Sequence, residues 1–162
     1  MNKQDYQQHC IWMREAIALA QLAGDSGEIP VGALVVDQSG HCIARTHNQK
    51  EQLKDPTAHA EILALREASQ NLQNWHLNHC TLYVTLEPCP MCAGGIIQAR
   101  VGQLVYGIDD PKTGAVRTVL NLPDHTVSRH SVEVIGGILE WDCRRQLQEW
   151  FRQRRLMKRL IE

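Results

Sequence analysis

From Asp5 to Ala23 apolar residues recur at helical spacing (Ile11, Trp12, Ala16, Leu19, Ala20 and Ala23) and Gly24 ends the run, which predicts a first helix. Val31 to Val36 is apolar and largely β-branched, Gln38-Ser39-Gly40 has turn chemistry, and Cys42-Ile43-Ala44 resumes an apolar run. That order predicts a β-hairpin. A polar stretch from Asn48 to Pro56 predicts a loop leading to Thr57 as the cap of a helix over Ala58 to Ser69, with Ile62, Leu63, Leu65 and Ala68 available to a core. The remaining pattern predicts a strand over 81–85, a short helix from Pro90 to Ala99, a strand over 103–107, a turn-rich loop over 109–114, a strand over 132–135 and a helix from Glu140 to Leu160. A hairpin followed by βα units gives a mixed sheet with helices packed on its faces, so the expected fold class is α/β.

The chain has 162 residues, 43% hydrophobic and 22% charged, and contains no Pro/Gly/Ser-rich linker, low-complexity tract or repeat. One domain over 1–162 is therefore expected. The apolar stretch Ile11 to Ala23 is interrupted by Arg14, Glu15 and Gln21, which fits neither a signal-peptide core nor a membrane span, and a cytoplasmic protein with no membrane partner follows as the expectation. Six cysteines in a reducing compartment favour metal ligation or buried thiols over disulfides. The net charge of −1 conceals an asymmetry: residues 144–162 carry +5 and the rest −6. Such a basic end suits a polyanionic partner or a solvated helix face.

Two segments carry chemistry. His59-Ala60-Glu61 opens one predicted helix and Pro88-Cys89-Pro90-Met91-Cys92 opens the next. Cys89 and Cys92, three apart on a first helical turn, present both sulfurs to one side, and two thiolates with an imidazole form a ligand set that zinc prefers. A structural zinc is normally closed by four protein ligands, whereas three leave a position for water, as in catalytic sites. Glu61, beside the metal without ligating it, is placed to move protons. Taken singly, C-x-x-C is often a structural half-site or a redox pair, and H-x-E is common; together they match the signature of zinc nucleobase deaminases. Cys10, Cys42, Cys80 and Cys143 lack partners at metal spacing and are expected to be buried thiols.

The resemblance extends further. Glu28-Ile29-Pro30-Val31-Gly32-Ala33, Asn48, Asp55-Pro56-Thr57-Ala58 ahead of His59, Leu82 to Cys89, and Tyr106-Gly107 with Asp110 to Ala115 are similar to bacterial tRNA-specific adenosine deaminases, in order from about residue 10 to 155. The resemblance implies a cytidine deaminase-like three-layer fold with a mixed central sheet and helices on both faces. It implies a homodimer, one zinc per subunit held by His59, Cys89 and Cys92, and hydrolysis of the wobble adenosine to inosine in the anticodon stem–loop of tRNA. On matching positions Asn48 would hydrogen-bond the purine, the Ala60 backbone N–H would meet the base's edge, and Ile29, Val31 and Leu86 would line its pocket. The stretch Arg117 to His125 resembles the family only weakly.

In the basic C-terminal helix, Leu147, Trp150, Phe151 and Leu156 can supply an inward face, leaving Arg154, Arg155, Lys158 and Arg159 as candidates for phosphate contact. Two other functions share the motifs: a deaminase of free purines such as guanine, and a non-catalytic zinc protein that binds RNA. Glu61 argues against the second, because a structural zinc has no use for a non-ligand carboxylate beside it.

Overall fold

The computed structural model describes residues 1–161, so Glu162, the end of the expected domain, lies outside the described residues. Helix α1 spans Lys3–Asp25 and begins before Asp5 because Asn2 and Asp5 cap it reciprocally. The Asn2 side-chain oxygen accepts from the Asp5 N–H at 2.9 Å, and the Asp5 carboxylate accepts from the Asn2 N–H at 3.4 Å. The predicted hairpin is β1 (Gly32–Val36) with β2 (Cys42–His47). Ile43 is the extra residue of a bulge between the pairs Val35–Ala44 and Val36–Cys42.

A one-turn helix α2 (Lys50–Leu53) stands in the predicted polar loop, too short to show a period. Then follow α3 (Ala60–Leu72), β3 (Thr81–Leu86), α4 (Pro90–Gln98), β4 (Gln103–Ile108), β5 (Glu133–Ile135) and α5 (Glu140–Ile161). The five strands form one sheet in the order β2-β1-β3-β4-β5; β1 is antiparallel to β2 and β3, while β3, β4 and β5 run parallel. The fold is α/β.

Alternation along the strands builds a core on each face of the sheet. Ala33, Val35, Leu82 and Val84 pack with Ala60, Ala64, Ala68, Ala93 and Ile96 of α3 and α4. Leu34, Val36, Tyr83 and Val105 pack with Cys10, Met13 and Ala16 of α1 and Cys143 of α5. Truncating a fully buried Leu34 or Leu82 to Ala would cost about 2–5 kcal/mol. Gly32 sets how closely α1 lies on β1, since a Cβ there would stand 2.1 Å from the Ala16 carbonyl oxygen.

Helix α5 lies on the C-terminal part of α1. Gln146 donates to the Ile17 carbonyl at 3.0 Å and the Trp150 indole N–H to the Gly24 carbonyl at 3.2 Å. Beyond Trp150, residues 151–160 are all exposed. The expected inward face therefore stops short: Phe151 is 38% and Leu156 47% exposed, because α1 ends at Asp25 and offers nothing further to pack on. Among the described residues no helix is long and apolar enough to cross a membrane.

Candidate active site

His59 and Cys89 are the N-cap residues of α3 and α4, with extended backbone at φ −74°, ψ 149° and φ −71°, ψ 172°. Usual capping residues turn a side-chain oxygen back onto the helix. Here neither side chain does so, leaving the imidazole and the thiol free to project past the helix ends. Thr57, the expected cap, is committed to Asp55: its N–H and hydroxyl donate to Asp55 Oδ1 at 2.8 and 2.7 Å. The helix consequently starts at Ala60 rather than Ala58. Pro90 at the first position of α4 suits a residue whose N–H would have no intrahelical partner.

These two helix starts meet at one end of the sheet. His59 Nδ1 lies 3.7 Å from Cys89 Sγ and 3.5 Å from Cys92 Sγ, and the three ligand atoms lie within 4.8 Å of one another. A tetrahedral zinc with ordinary Zn–S and Zn–N bonds separates such atoms by roughly 3.6 Å, so the donor set fits that metal. Among the described residues it is the one His/Cys/Asp/Glu group of this kind. Both helix N-termini direct partial positive charge toward it, which favours thiolate.

The Cys89 thiol is pushed down to about 4, first by the hydrogen bond from Cys92 and also by His59, against the effect of burial. Cys92 moves the other way, held up by donating to Cys89 and by burial. His59 is raised by its hydrogen bond with Cys89, with Glu61 adding to it. Glu61 is buried, and desolvation pushes its carboxyl up to about 6. A carboxyl in that range both takes and returns protons near neutral pH, as a general acid/base must.

His59, Glu61 and Cys89 line an open cleft of about 320 Å³. Ile29, Val31, Leu86 and Asn48, the other expected pocket residues, line it too: Val31 is buried, Leu86 half-buried and Ile29 exposed at 39%. Asn48 and Ala60 are brought together differently from the expectation. The Ala60 N–H donates to Asn48 Oδ1 at 3.0 Å, so it is already engaged within the chain, and Asn48 Nδ2 donates to the Ile29 carbonyl at 3.1 Å. The Thr46 hydroxyl fixes the other side of Ala60 by donating to its carbonyl at 2.7 Å.

Arg154, Arg155, Lys158 and Arg159 do not line the cleft. Arg154 turns back to its rim, donating to the Gly27 carbonyl at 2.5 Å with its guanidinium 4.9 Å from the Trp150 ring centroid. Gly27 and Trp150 are themselves cleft residues. Arg155, Lys158 and Arg159 sit on the exposed end of α5.

The cleft also holds residues to which sequence reasoning assigns no part in it: Glu28, Glu87, Asp110, Thr113 and Trp150. Glu28 and Glu87 are 3% and 2% exposed. A carboxylate at the end of an apolar strand, as in Thr85-Leu86-Glu87-Pro88, is the available signal, because its burial demands donors from elsewhere in the chain.

The family model of MafB19-like deaminases matches residues 7–155. A tRNA-specific adenosine deaminase of Haemophilus influenzae is 45% identical over 148 residues, covering 91% of this chain and 86% of that protein. A structure from work on A-to-I editing by tRNA:A34 deaminases at the wobble position of transfer RNA is similar with a TM-score of 0.80, at 40% identity, over 83% of this chain and 96% of that one. A guanine deaminase from Nitrosomonas europaea is similar at a TM-score of 0.72 and 26% identity, over 85% of this chain and 81% of that one.

Proposed function

This chain belongs to the family of tRNA-specific adenosine deaminases, and from that membership we propose that it hydrolyses the wobble adenosine of tRNA to inosine, releasing ammonia. The observation that carries the proposal is the His59, Cys89, Cys92 group with a buried Glu61 outside it, His59, Cys89 and Glu61 lining one cleft. His59, Cys89 and Cys92 would hold one zinc per chain. When bound, zinc supplies Lewis-acid activation of water near neutral pH.

The rest is work for the protein's own groups. Glu61 takes the attacking water's two protons in turn, passing the first to a purine ring nitrogen and the second to the departing amine, which leaves as ammonia. Val31 and Leu86 exclude solvent from the base and Ile29 covers the cleft mouth. Asn48, with one N–H and one oxygen lone pair left after its internal bonds, orients the purine. A base must leave its stack to reach such a site, and an anticodon loop makes that inexpensive. Arg155, Lys158 and Arg159 are proposed to meet phosphates, and Arg154 to brace the rim. A homodimer of single-domain chains acting in the cytoplasm completes the proposal.

The test compares substrates: purified protein is given an anticodon stem–loop RNA, free guanine and free adenosine. Deamination confined to the RNA supports the proposal. Equal or faster deamination of a free purine assigns the cleft to the guanine-type reaction, and zinc binding with no deamination of any substrate assigns it to a non-catalytic role.

A further inference from the structure

Glu87 follows the cleft residue Leu86 and precedes the Pro88-Cys89 turn, and its carboxylate is almost wholly buried. Five donors from one loop converge on it. Oε1 accepts the backbone N–H groups of Arg117 and Thr118, each at 2.9 Å, and of Val116 at 3.4 Å. Oε2 accepts the N–H of Asp110 at 2.9 Å and the Thr118 hydroxyl. The segment between β4 and β5 that supplies these donors forms no strand or helix here, so a single side chain takes the place of a ladder partner.

Two features show that the loop is shaped to this carboxylate. A Cβ at Gly114 would stand 2.2 Å from Glu87 Oε2, so the chain closes on Glu87 only with glycine there. Inside the loop, the Asp110 carboxylate accepts the N–H groups of Lys112 at 2.8 Å and Thr113 at 3.2 Å and the Thr113 hydroxyl at 2.6 Å. The Ala115 N–H adds a strap to the Pro88 carbonyl at 2.9 Å, tying the loop to the turn that carries Cys89. Asp110 and Thr113, held in this way, line the same cleft as His59 and Glu61.

We propose that Glu87 is a positioning residue for substrate: it templates the 110–118 loop so that Asp110 and Thr113 form a fixed wall of the cleft. The substrate part of this rests on the function proposed above, while the templating of the loop does not. Removing an acceptor from N–H groups that have no other partner among the described residues loosens the wall and leaves the metal group and Glu61 in place.

The experiment is Glu87→Gln, which keeps the shape of the side chain but offers one acceptor oxygen and sets an NH₂ donor against N–H groups. Hydrogen exchange at the amides of residues 110 and 116–118 is expected to speed up about tenfold or more, and the KM for an anticodon stem–loop to rise about tenfold, from roughly one orphaned hydrogen bond. The kcat and the zinc content should stay near wild type. Thr118→Val removes one donor from an exposed position and should shift exchange and KM in the same direction by less, which keeps the test open should Glu87→Gln fold poorly. Unchanged loop exchange in both variants overturns the templating. A loosened loop with unchanged KM overturns the role in substrate positioning, as does a loss confined to kcat. A wild-type protein that leaves the stem–loop adenosine intact defeats the proposed function, and the exchange measurement still decides the templating.

Discussion

Asn48 and Ala60 hold each other: the amide oxygen of one accepts the backbone N–H of the other at 3.0 Å, at the N-terminus of the helix that follows His59. Because the Asn48 nitrogen also donates to Ile29, one side chain links the cleft mouth to the helix bearing Glu61. Asn48→Ala orphans the buried Ala60 N–H, while the Ile29 carbonyl keeps the Val31 N–H at 2.8 Å, and it is expected to lower kcat/KM about 10- to 100-fold, at about 1–3 kcal/mol for an unsatisfied buried group. Asn48→Asp retains the acceptor for Ala60, so its thermal stability should lie nearer wild type. Unchanged kinetics in Asn48→Ala would remove Asn48 from the site.

Metal content checks the ligand set. The purified protein is expected to carry about one zinc per chain, and Cys89→Ala or Cys92→Ala to lose it, because two ligands cannot make a stable site of this type. Elemental analysis that finds full zinc in both variants would contradict the assignment.

Glu61→Gln separates the metal from the proton shuttle. Zinc should remain bound, while turnover falls by roughly two to four orders of magnitude, the usual worth of a positioned acid/base. Loss of zinc, or turnover near wild type, would each count against that role.

Buried His9 supplies a pH-dependent element of stability. Its Nδ1 lies 2.9 Å from the Tyr83 hydroxyl, whose proton is secure because burial pushes the phenol up to about 12, so neutral His9 accepts. Desolvation lowers the imidazole below its ordinary value, with Asp5 and Glu133 opposing. The unfolded chain protonates it near pH 6.5, so its contribution is fully present above that and lost as pH falls through the lower folded value. Urea midpoints measured at pH 7.5 and 5.5 should therefore drop more in wild type than in His9→Gln; equal drops would contradict the account.

The end of α5 divides by structure. Replacing Arg155, Lys158 and Arg159 with Gln should weaken tRNA binding and reduce its salt slope by roughly 0.7 to 0.9 for each phosphate left unneutralised, in a protein that still folds. Arg154→Gln should also lower thermal stability, since that guanidinium bonds Gly27 and stacks on Trp150. Wild-type affinity and slope in the triple variant would make this helix end a plain solvated surface.

How much of the molecule is legible in its sequence depends on whether a residue acts locally. The helices, the hairpin and the H-x-E and C-x-x-C pair announce themselves through period and spacing, and the α/β sheet follows from their order. The start of α3 at Ala60 is hidden because Thr57 looks like a cap yet spends its hydroxyl on Asp55 two residues back. Phe151 and Leu156 continue the helical period past the point where α1 ends, so the pattern promises a face with nothing beneath it. Glu87 is hidden for a different reason: its donors lie 23 to 31 residues away, and no periodicity reports them.

The most direct test of the central proposal is the position of inosine in total bacterial tRNA after incubation with the purified protein, read by sequencing against a Glu61→Ala control. The account predicts inosine at the first anticodon position of the substrate tRNA, absent from the control. No inosine with the zinc-loaded protein, or inosine scattered over other adenosines, would contradict it.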